Sequence, residues 1–439
     1  MSYEYSTEEA KKGGPTHPDE WQSLSLREAG VSLIDCEHRT PPPSEIGFPY
    51  IAIPQLKEGR IDLTDVRLIT PANFQEWTRK ANPQPFDVIL SRRCNPGETA
   101  SVPSGLVCAI GQNLVLLRAD GKKVSPKFLR WLVRGPGWWE QVRRFINVGA
   151  VFESLKCADI PNFRLLIPPL PEQTAISQVL GTLDDKIELN LQMNRTLEAM
   201  GKAIFKHWFI SFEFPNEQGK FYKSSGGEMT YSEELGKEIP KGWKVGNILD
   251  CAEILSGGTP RTEVAKYWGG AVPWVTAKDV TNSQGSYILD TERTITQLGI
   301  ENSNAKMIPK NTTVVTARGV VGSYCILSRE MAINQTNYGL KAKPECGDFF
   351  VFFSVSNLVN QMNQHSYGTI FDTITTKTFD EMKIPLPSNS LIKSFEAKVA
   401  PTIARILLNL QESRSLVDIR DTLLPKLISA RIRIPVEDA

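Results

Sequence analysis

Two short stretches carry residue types that chemistry on DNA would use. Asn82-Pro83-Gln84-Pro85-Phe86 comes close to an Asn-Pro-Pro-aromatic turn, with which an amino-methyltransferase grips the exocyclic amine of an extruded base. The inserted Gln84 lengthens that turn and no glycine-rich cofactor loop precedes it, so the stretch reads as a proline-rich surface loop. Glu396-Ala397-Lys398 matches the tail of a nuclease motif, but no Pro-Asp precedes it and it falls inside a helical pattern. It reads as a solvated helix face. No G-x-x-x-x-G-K-[ST] phosphate loop and no G-x-G-x-x-G occur. The four histidines (17, 38, 207, 365) are not spaced like metal ligands. The expected chain is non-catalytic, with no catalytic residue, no metal site and no cofactor of its own.

Binding chemistry is better represented. Turn-rich loops with Arg, Lys, Asn and Thr recur at corresponding places in the two halves of the chain. The first half has Glu37-His38-Arg39-Thr40-Pro41 and Ser91-Arg92-Arg93-Cys94-Asn95, and the second has Gly257-Gly258-Thr259-Pro260-Arg261-Thr262 and Thr316-Ala317-Arg318-Gly319. Arginine suits bidentate contact with guanine or phosphate, and short polar side chains reach phosphates and base edges. The expected DNA-binding residues are therefore Arg39, Thr40, Arg92, Arg93, Thr259, Arg261, Lys278, Arg318 and Asn334. Gln335, Lys123, Lys127, Arg143 and Arg144 form a second rank. Any one of these alone would be an ordinary solvated surface residue. Recurrence at matching loops is what singles out Arg39, Arg93, Arg261 and Arg318.

The elements that must position these loops form an internal repeat. Leu189–Leu197 reads LNLQMNRTL and Leu408–Leu416 reads LNLQESRSL, identical at six of nine positions and 219 residues apart. Gly149 and Gly368, and Phe152 and Phe371, share that spacing of 219. Further upstream the spacing drifts but the order holds. Trp21 pairs with Trp243, Pro49-Tyr50-Ile51 with Pro273-Trp274-Val275, and Ile89-Leu90-Ser91 with Val314-Val315-Thr316. Each copy has a globular domain, a proline junction and a long helix. The junctions are LIPPLPEQ at 166–173 and IPLPSNS at 384–390. Proline ends a strand cleanly yet is tolerated at the first helical position.

The helices carry a 4-3 apolar spacing. It runs Ile176, Leu180, Leu183, Ile187, Asn190, Asn194, Leu197, Gly201, Ile204, Trp208 in the first copy. The second copy has Phe395, Val399, Thr402, Ile406, Asn409, Ser413, Leu416, Arg420, Leu423, Leu427. Both seams are polar at matched central positions, as in a coiled coil whose buried Asn sets register. Antiparallel pairing brings Asn190 opposite Asn409 and Ser413. Pro401 and Pro425 interrupt the second helix, which predicts a late start or kink and a kinked last turn.

With 439 residues, 41% hydrophobic and 23% charged, the chain has room for roughly two to four domains. The expected division is a flexible tail at 1–20, a first globular domain at 21–168, a helix at 169–211, a polar linker at 212–242, a second globular domain at 243–386 and a second helix at 387–431. Candidate strands at Asp87–Ser91, Leu114–Leu117, Thr312–Thr316 and Tyr324–Leu327, with shorter helices at Lys127–Val133 and Phe349–Gln361, make the domains mixed α/β (α+β). No apolar run approaches the length of about 18 residues that a membrane helix needs, and no membrane partner is expected. Seven dispersed cysteines without a C-x-x-C read as reduced thiols of a cytoplasmic protein. The net charge of +1 gives no overall nucleic-acid footprint, though a local patch remains compatible with it.

The chain resembles, along nearly its whole length, the specificity subunit of type I restriction–modification systems. The matching residues are Ile167-Pro168-Pro169-Leu170-Pro171-Glu172-Gln173 and Leu183-Asp184-Asp185-Lys186-Ile187-Glu188-Leu189-Asn190. They continue with Gly257-Gly258-Thr259-Pro260, Tyr267-Trp268-Gly269-Gly270, Pro273-Trp274-Val275 and the ending Leu424-Pro425-Lys426-Leu427-Ile428-Ser429. The first domain departs most, with Cys36–Pro41 where the second has its Gly-Gly-Thr-Pro loop.

The resemblance implies two target-recognition domains joined by two long antiparallel coiled-coil helices in a pseudo-twofold repeat, each domain reading one half of a bipartite site in double-stranded DNA. It implies two docked adenine methyltransferase (M) subunits and two restriction (R) subunits that translocate and cut. S-adenosylmethionine, ATP and Mg would then sit on those partners and not on this chain. One rival class is an enzyme, a fused nuclease or methyltransferase, against which the absent cofactor and metal motifs argue; the other is a stand-alone two-domain DNA-binding regulator, which a pull-down without methyltransferase would favour.

Overall fold

The computed structural model describes residues 18, 20–148, 153–283, 285–365 and 373–435. The sequence anchors Gly149/Gly368 and Phe152/Phe371, and nearly all of the expected tail, lie outside the described residues. The chain forms two compact units: residues 1–186 with 416–439, and residues 187–415.

Unit 1 is built around a four-stranded and a three-stranded sheet. Strands β1 (Val31–Asp35), β2 (Phe48–Ile51), β3 (Arg67–Ile69), β4 (Val88–Ser91), β5 (Thr99–Ser101), β6 (Ala109–Ile110) and β7 (Leu114–Ala119) are followed by helix α1 (Pro126–Leu132). One sheet runs β1-β7-β4-β5 and the other β3-β2-β6. The strands are β-branched and leucine-rich, and β4 and β7 are buried along almost their whole length. A long helix, α2, spans Leu170–Phe205 and continues into a wider turn over Lys206–Ile210.

Unit 2 repeats the plan. Its strands are β8 (Ala252–Ser256), β9 (Trp268–Val275), β10 (Tyr287–Ile288), β11 (Arg293–Ile295), β12 (Met307–Ile308), β13 (Thr313–Thr316), β14 (Tyr324–Leu327), β15 (Met331–Ile333) and β16 (Asn337–Ala342). Helices α3 (Asp348–His365) and α4 (Asn389–Ile428) follow. The sheets run β8-β16-β13-β14-β10 and β11-β9-β15-β12. The sequence pairs fall on equivalent strands. Tyr50-Ile51 lies parallel to Ala109-Ile110, as Trp274-Val275 does to Ala332-Ile333. Trp21 precedes a strand, Gln22–Ser25, that pairs with Arg164–Ile167, and Trp243 precedes Lys244–Asn247 paired with Lys383–Leu386.

Two details differ from the sequence reading. Helix α4 starts at Asn389 and runs through Pro401 and Pro425, so its start is not delayed. Each proline removes one amide donor, which a helix held by packing along its length tolerates. The segment expected as a linker carries an antiparallel hairpin, Met229–Ser232 with Lys237–Pro240.

The two long helices pack together with opposite directions. In unit 1, Ile176 and Leu180 of α2 share a core with Leu424, Leu427 and Ile428 of α4, together with Trp131 and Phe128. In unit 2, the expected polar seam is hydrogen-bonded across the pair. Asn190 Nδ2 donates to Glu412 Oε2 at 2.9 Å and Ser413 Oγ at 3.3 Å, and Asn409 Nδ2 donates to Asn194 Oδ1 at 2.8 Å. As α2 advances from 190 to 194 its partners retreat from 413 to 406, which defines the antiparallel register. Buried amides that find partners in one alignment only select that alignment.

Glu396 corrects the sequence reading of a solvated helix face. Its carboxylate is drawn into unit 2, accepting from the Phe350 amide at 2.7 Å at the start of α3. Burial, aided by the Asp348 charge, pushes its carboxyl up to about 7 from an ordinary 4.5. The folded state therefore holds a proton that the unfolded chain has released between those values, and stability contributed below about 4.5 is lost as pH rises through about 7. Unit 2 is expected to unfold more easily at pH 8 than at pH 5.5, by about 2 kcal/mol. Glu396→Gln should flatten this slope in denaturant titrations, and an unchanged slope would assign it elsewhere.

Candidate nucleic-acid interface

In each unit three loops meet at one end of the larger sheet. In unit 2 they follow β8, join β13 to β14, and join β15 to β16. The Gly258 amide donates to Ile333 O at 3.0 Å and the Ala317 amide to Thr336 O at 2.8 Å. The Thr259 hydroxyl bonds the Gln335 carboxamide. Glycine is required in the first loop by close approach. A Cβ at Gly257 would lie 2.2 Å from Ile333 O, and one at Gly258 2.3 Å from the Asn304 backbone. Trp274 Nε1 donates to Gly258 O at 2.9 Å and fixes the loop from below.

Unit 1 builds the same end with different residues. Cys36 Sγ donates to Gly111 O at 3.1 Å, one His38 ring nitrogen lies 3.2 Å from Gln112 O, and the Arg92 amide donates to Asn113 O at 3.0 Å. The loop after β1, the β4–β5 loop and the β6–β7 turn therefore converge. The loop after β1 and the β6–β7 turn border a recess of about 310 Å³ lined by Thr40, Tyr50, Gln55, Arg67, Gln112 and Asn113.

The expected residues take up distinct positions here. Arg93, Arg261 and Arg318 are exposed on these loops, and Thr259 is half-buried at the meeting point. Arg39 is exposed but engaged: it pairs with Glu76 and Glu37, which raise its already high pKa, and lies 5.0 Å over the Trp77 ring. Thr40 lines the recess. Lys278 is exposed and pairs with Glu292 at 2.6 Å. Arg92 turns inward, with its buried Nε unpartnered among the described residues. Asn334 is also turned in. Its Oδ1 accepts from the Thr336 amide and hydroxyl at 3.2 and 2.8 Å, so it shapes the turn and leaves Gln335 as the exposed member. Lys123, Lys127, Arg143 and Arg144 are exposed outside the three loops.

Sequence reasoning missed Gln112. β7 and β16 are offset by 223 residues (Leu114 to Asn337), which places Gln112 opposite Gln335, and both are exposed. Extending the repeat through these turns would have found it. Arg293 was missed too. It is exposed and its guanidinium stacks 3.7 Å from the Trp268 ring centre.

His38 also sits near Asp35 and Cys36, with ligand atoms within 4.8 Å of one another. These atoms already bond each other or the backbone, and burial pushes the Cys36 thiol up to about 11. A protonated thiol is a poor metal ligand. Of the near-catalytic stretches, Asn82 presents its carbonyl to Arg118, which is locked on buried Asp87. That loop is a structural clasp.

Among the described residues no helix is long and apolar enough to cross a membrane. The profile of the type I restriction modification DNA specificity domain matches twice, at residues 44–199 and 240–399, once per repeat. The type I restriction enzyme HindI specificity subunit of Haemophilus influenzae is 24% identical over 375 residues, spanning 74% of this chain and 81% of that one. The MjaIX specificity subunit of Methanocaldococcus jannaschii is 24% identical over 359 residues, spanning 76% and 77%. The crystal structure of a type I restriction-modification S subunit from M. genitalium shares the fold, with a TM-score of 0.55 at 15% identity over 94% of this chain and 97% of that one. Two copies of one domain-and-helix plan, each matched by the same profile, place the chain in the type I restriction modification DNA specificity family.

Proposed function

We infer that the three-loop ends of the two units each read one half of a divided DNA site, and that the long helices carry the partner subunits. The chain is the DNA-recognition subunit of a type I restriction–modification system. The observation that carries the two-half reading is the recurrence of the same three loops at the same sheet end in both units. Arg93 and Arg318, on equivalent turns, are the leading base- or phosphate-contacting residues. Arg39, Thr40, Arg261, Thr259 and Gln335 support them, with Lys278 at the margin. Arg92 and Asn334 act by shaping their loops.

The doubled plan supports a complex with two M and two R subunits, since a repeated surface can recruit a partner twice. S-adenosylmethionine, ATP and Mg belong to those partners, and the chain supplies position and not chemistry. A cytoplasmic location fits a DNA partner. The stand-alone regulator shares the domain plan, but the family match favours the restriction–modification role.

The test uses this chain assembled with its methyltransferase. Arg93→Ala should lower methylation at least tenfold and relax preference in one half-site only, and Arg318→Ala should do so in the other. A bidentate base contact is worth about 1–3 kcal/mol. The isolated chain should transfer no methyl group. Methyl transfer by the chain alone, or equal relaxation of both half-sites by one substitution, would contradict the reading.

A further inference from the structure

The two units share one plan yet meet the long helices through opposite chemistry. In unit 1, Asp184 of α2 is 3% exposed and bonds three arginines. Arg420 of α4 donates to it at 2.8 Å, Arg60 of the first domain at 3.2 Å, and Arg130 of α1 completes the set. Arg420 is itself 1% exposed. About three turns earlier on α2, Gln173 is fully buried and bonds the Ser125 amide and Lys123 O of the same domain at 2.8 and 2.7 Å.

The repeat gives four of these residues, Asp184, Gln173, Arg420 and Arg130, a counterpart. The helix spacing of 219 carries Asp184 to Ile403, Gln173 to Ile392 and Gly201 to Arg420. The β7–β16 offset of 223 carries Arg130 to Phe353. In unit 2 these counterparts pack with one another. A Cβ on Gly201 would fall 2.5 Å from the Phe353 ring, Phe353 and Ile403 line one small apolar recess, and Ile392 is buried in the same core. Where unit 1 has Arg130, Asp184 and Arg420, unit 2 has Phe353, Ile403 and Gly201.

The two sets are mutually exclusive. An arginine at the place of Gly201 would occupy the space of the Phe353 ring. Phe353 set against Asp184 would leave a buried carboxylate short of a cation, which is strongly unfavourable. We propose that these residues form a junction code, in which a domain bearing arginines at the positions of Arg60 and Arg130 seats on Asp184 and Arg420, and a domain bearing Phe353 seats on Gly201 and Ile403. Asp184 and Arg420 are thus positioning residues. They act on DNA reading through the domain they hold, and each recognition domain is assigned to its own seat on the helices. This rests on the reading that each domain reads one half-site.

The test is made in the complete chain with its methyltransferase, by mapping methylated adenines. Residues 243–386 grafted in place of 21–168 should give at least tenfold less methylation than the native chain. The same graft carrying Asp184→Ile, Gln173→Ile and Arg420→Gly should recover it, now at sites whose two halves are both the second half-site. Equal methylation by the unrecoded graft would overturn the code, as would failure of the recoded one. In the native chain, Asp184→Asn should cost at least tenfold in discrimination at the first half-site and leave the second unchanged, with partial rescue by Asp184→Glu. Equal loss at both halves, or none, would overturn it. A native complex that methylates no divided site would instead bring down the functional reading on which the code rests.

Discussion

A chain whose two long helices are each lengthened by one heptad is expected to methylate sites whose half-sites lie about three base pairs further apart. The insertions belong after Lys186 and after Ser415, where the two units divide. There, the Asp184–Arg420 contact on one side and the Asn190–Ser413 contact on the other each keep their register. Seven residues per helix preserve the 4-3 seam and add about 10 Å at 1.5 Å per residue. DNA advances about 3.4 Å per base pair, which sets the expected change in gap. The same insertion turns one half-site by about a third of a turn, given about 10 base pairs per turn. The lengthened protein should therefore act on the new spacing at reduced rate. Full activity on the original spacing alone would show that the helices do not set the distance.

Exchange of residues 1–165 for those of another family member should replace one half-site and leave the other and the gap intact. The basis is the self-contained build of each unit: in unit 1 the loop after β1 and the β4–β5 loop both bond the β6–β7 turn, and its core residues come from that unit alone. A donor with arginines at the positions of Arg60 and Arg130 should give full activity, and one without them should lose at least tenfold. Mapping of methylated adenines reads both effects. If both half-sites changed together, the two units would not read independently.

Much of the architecture could be read because it depends on local pattern. Buried strands such as Val88–Ser91 and Thr313–Thr316 are continuous apolar or β-branched runs bounded by turn residues. The prolines of both junctions mark the points where a strand gives way to a helix. Pro401 misled because tertiary packing of Phe395, Val399 and Ile403 holds α4 on both sides of it. The hairpin at 229–240 escaped because its strands are polar and exposed along much of their length.

The site was less legible for a related reason. Arginine and asparagine look alike in sequence whether they face solvent or turn inward, and only contacts separate Arg93 from Arg92 or Gln335 from Asn334. Asp184 was quoted only as part of a motif, because its role depends on Arg60, 124 residues away, and on Arg420, 236 residues away. Long-range charge pairing leaves no periodic trace. The repeat did leave one, since it shows Gly201 and Arg420 as an unmatched pair on otherwise similar seams.

The central claim is that one chain reads two separate stretches of DNA through two equivalent loop sets. Sequencing of methylated adenines in DNA from cells that make this chain with its partner methyltransferase tests it most directly. The expected result is a single divided motif, two short specified stretches separated by a gap of fixed length and free sequence, lost when the chain is absent. A continuous motif, or methylation that persists unchanged without the chain, would contradict it.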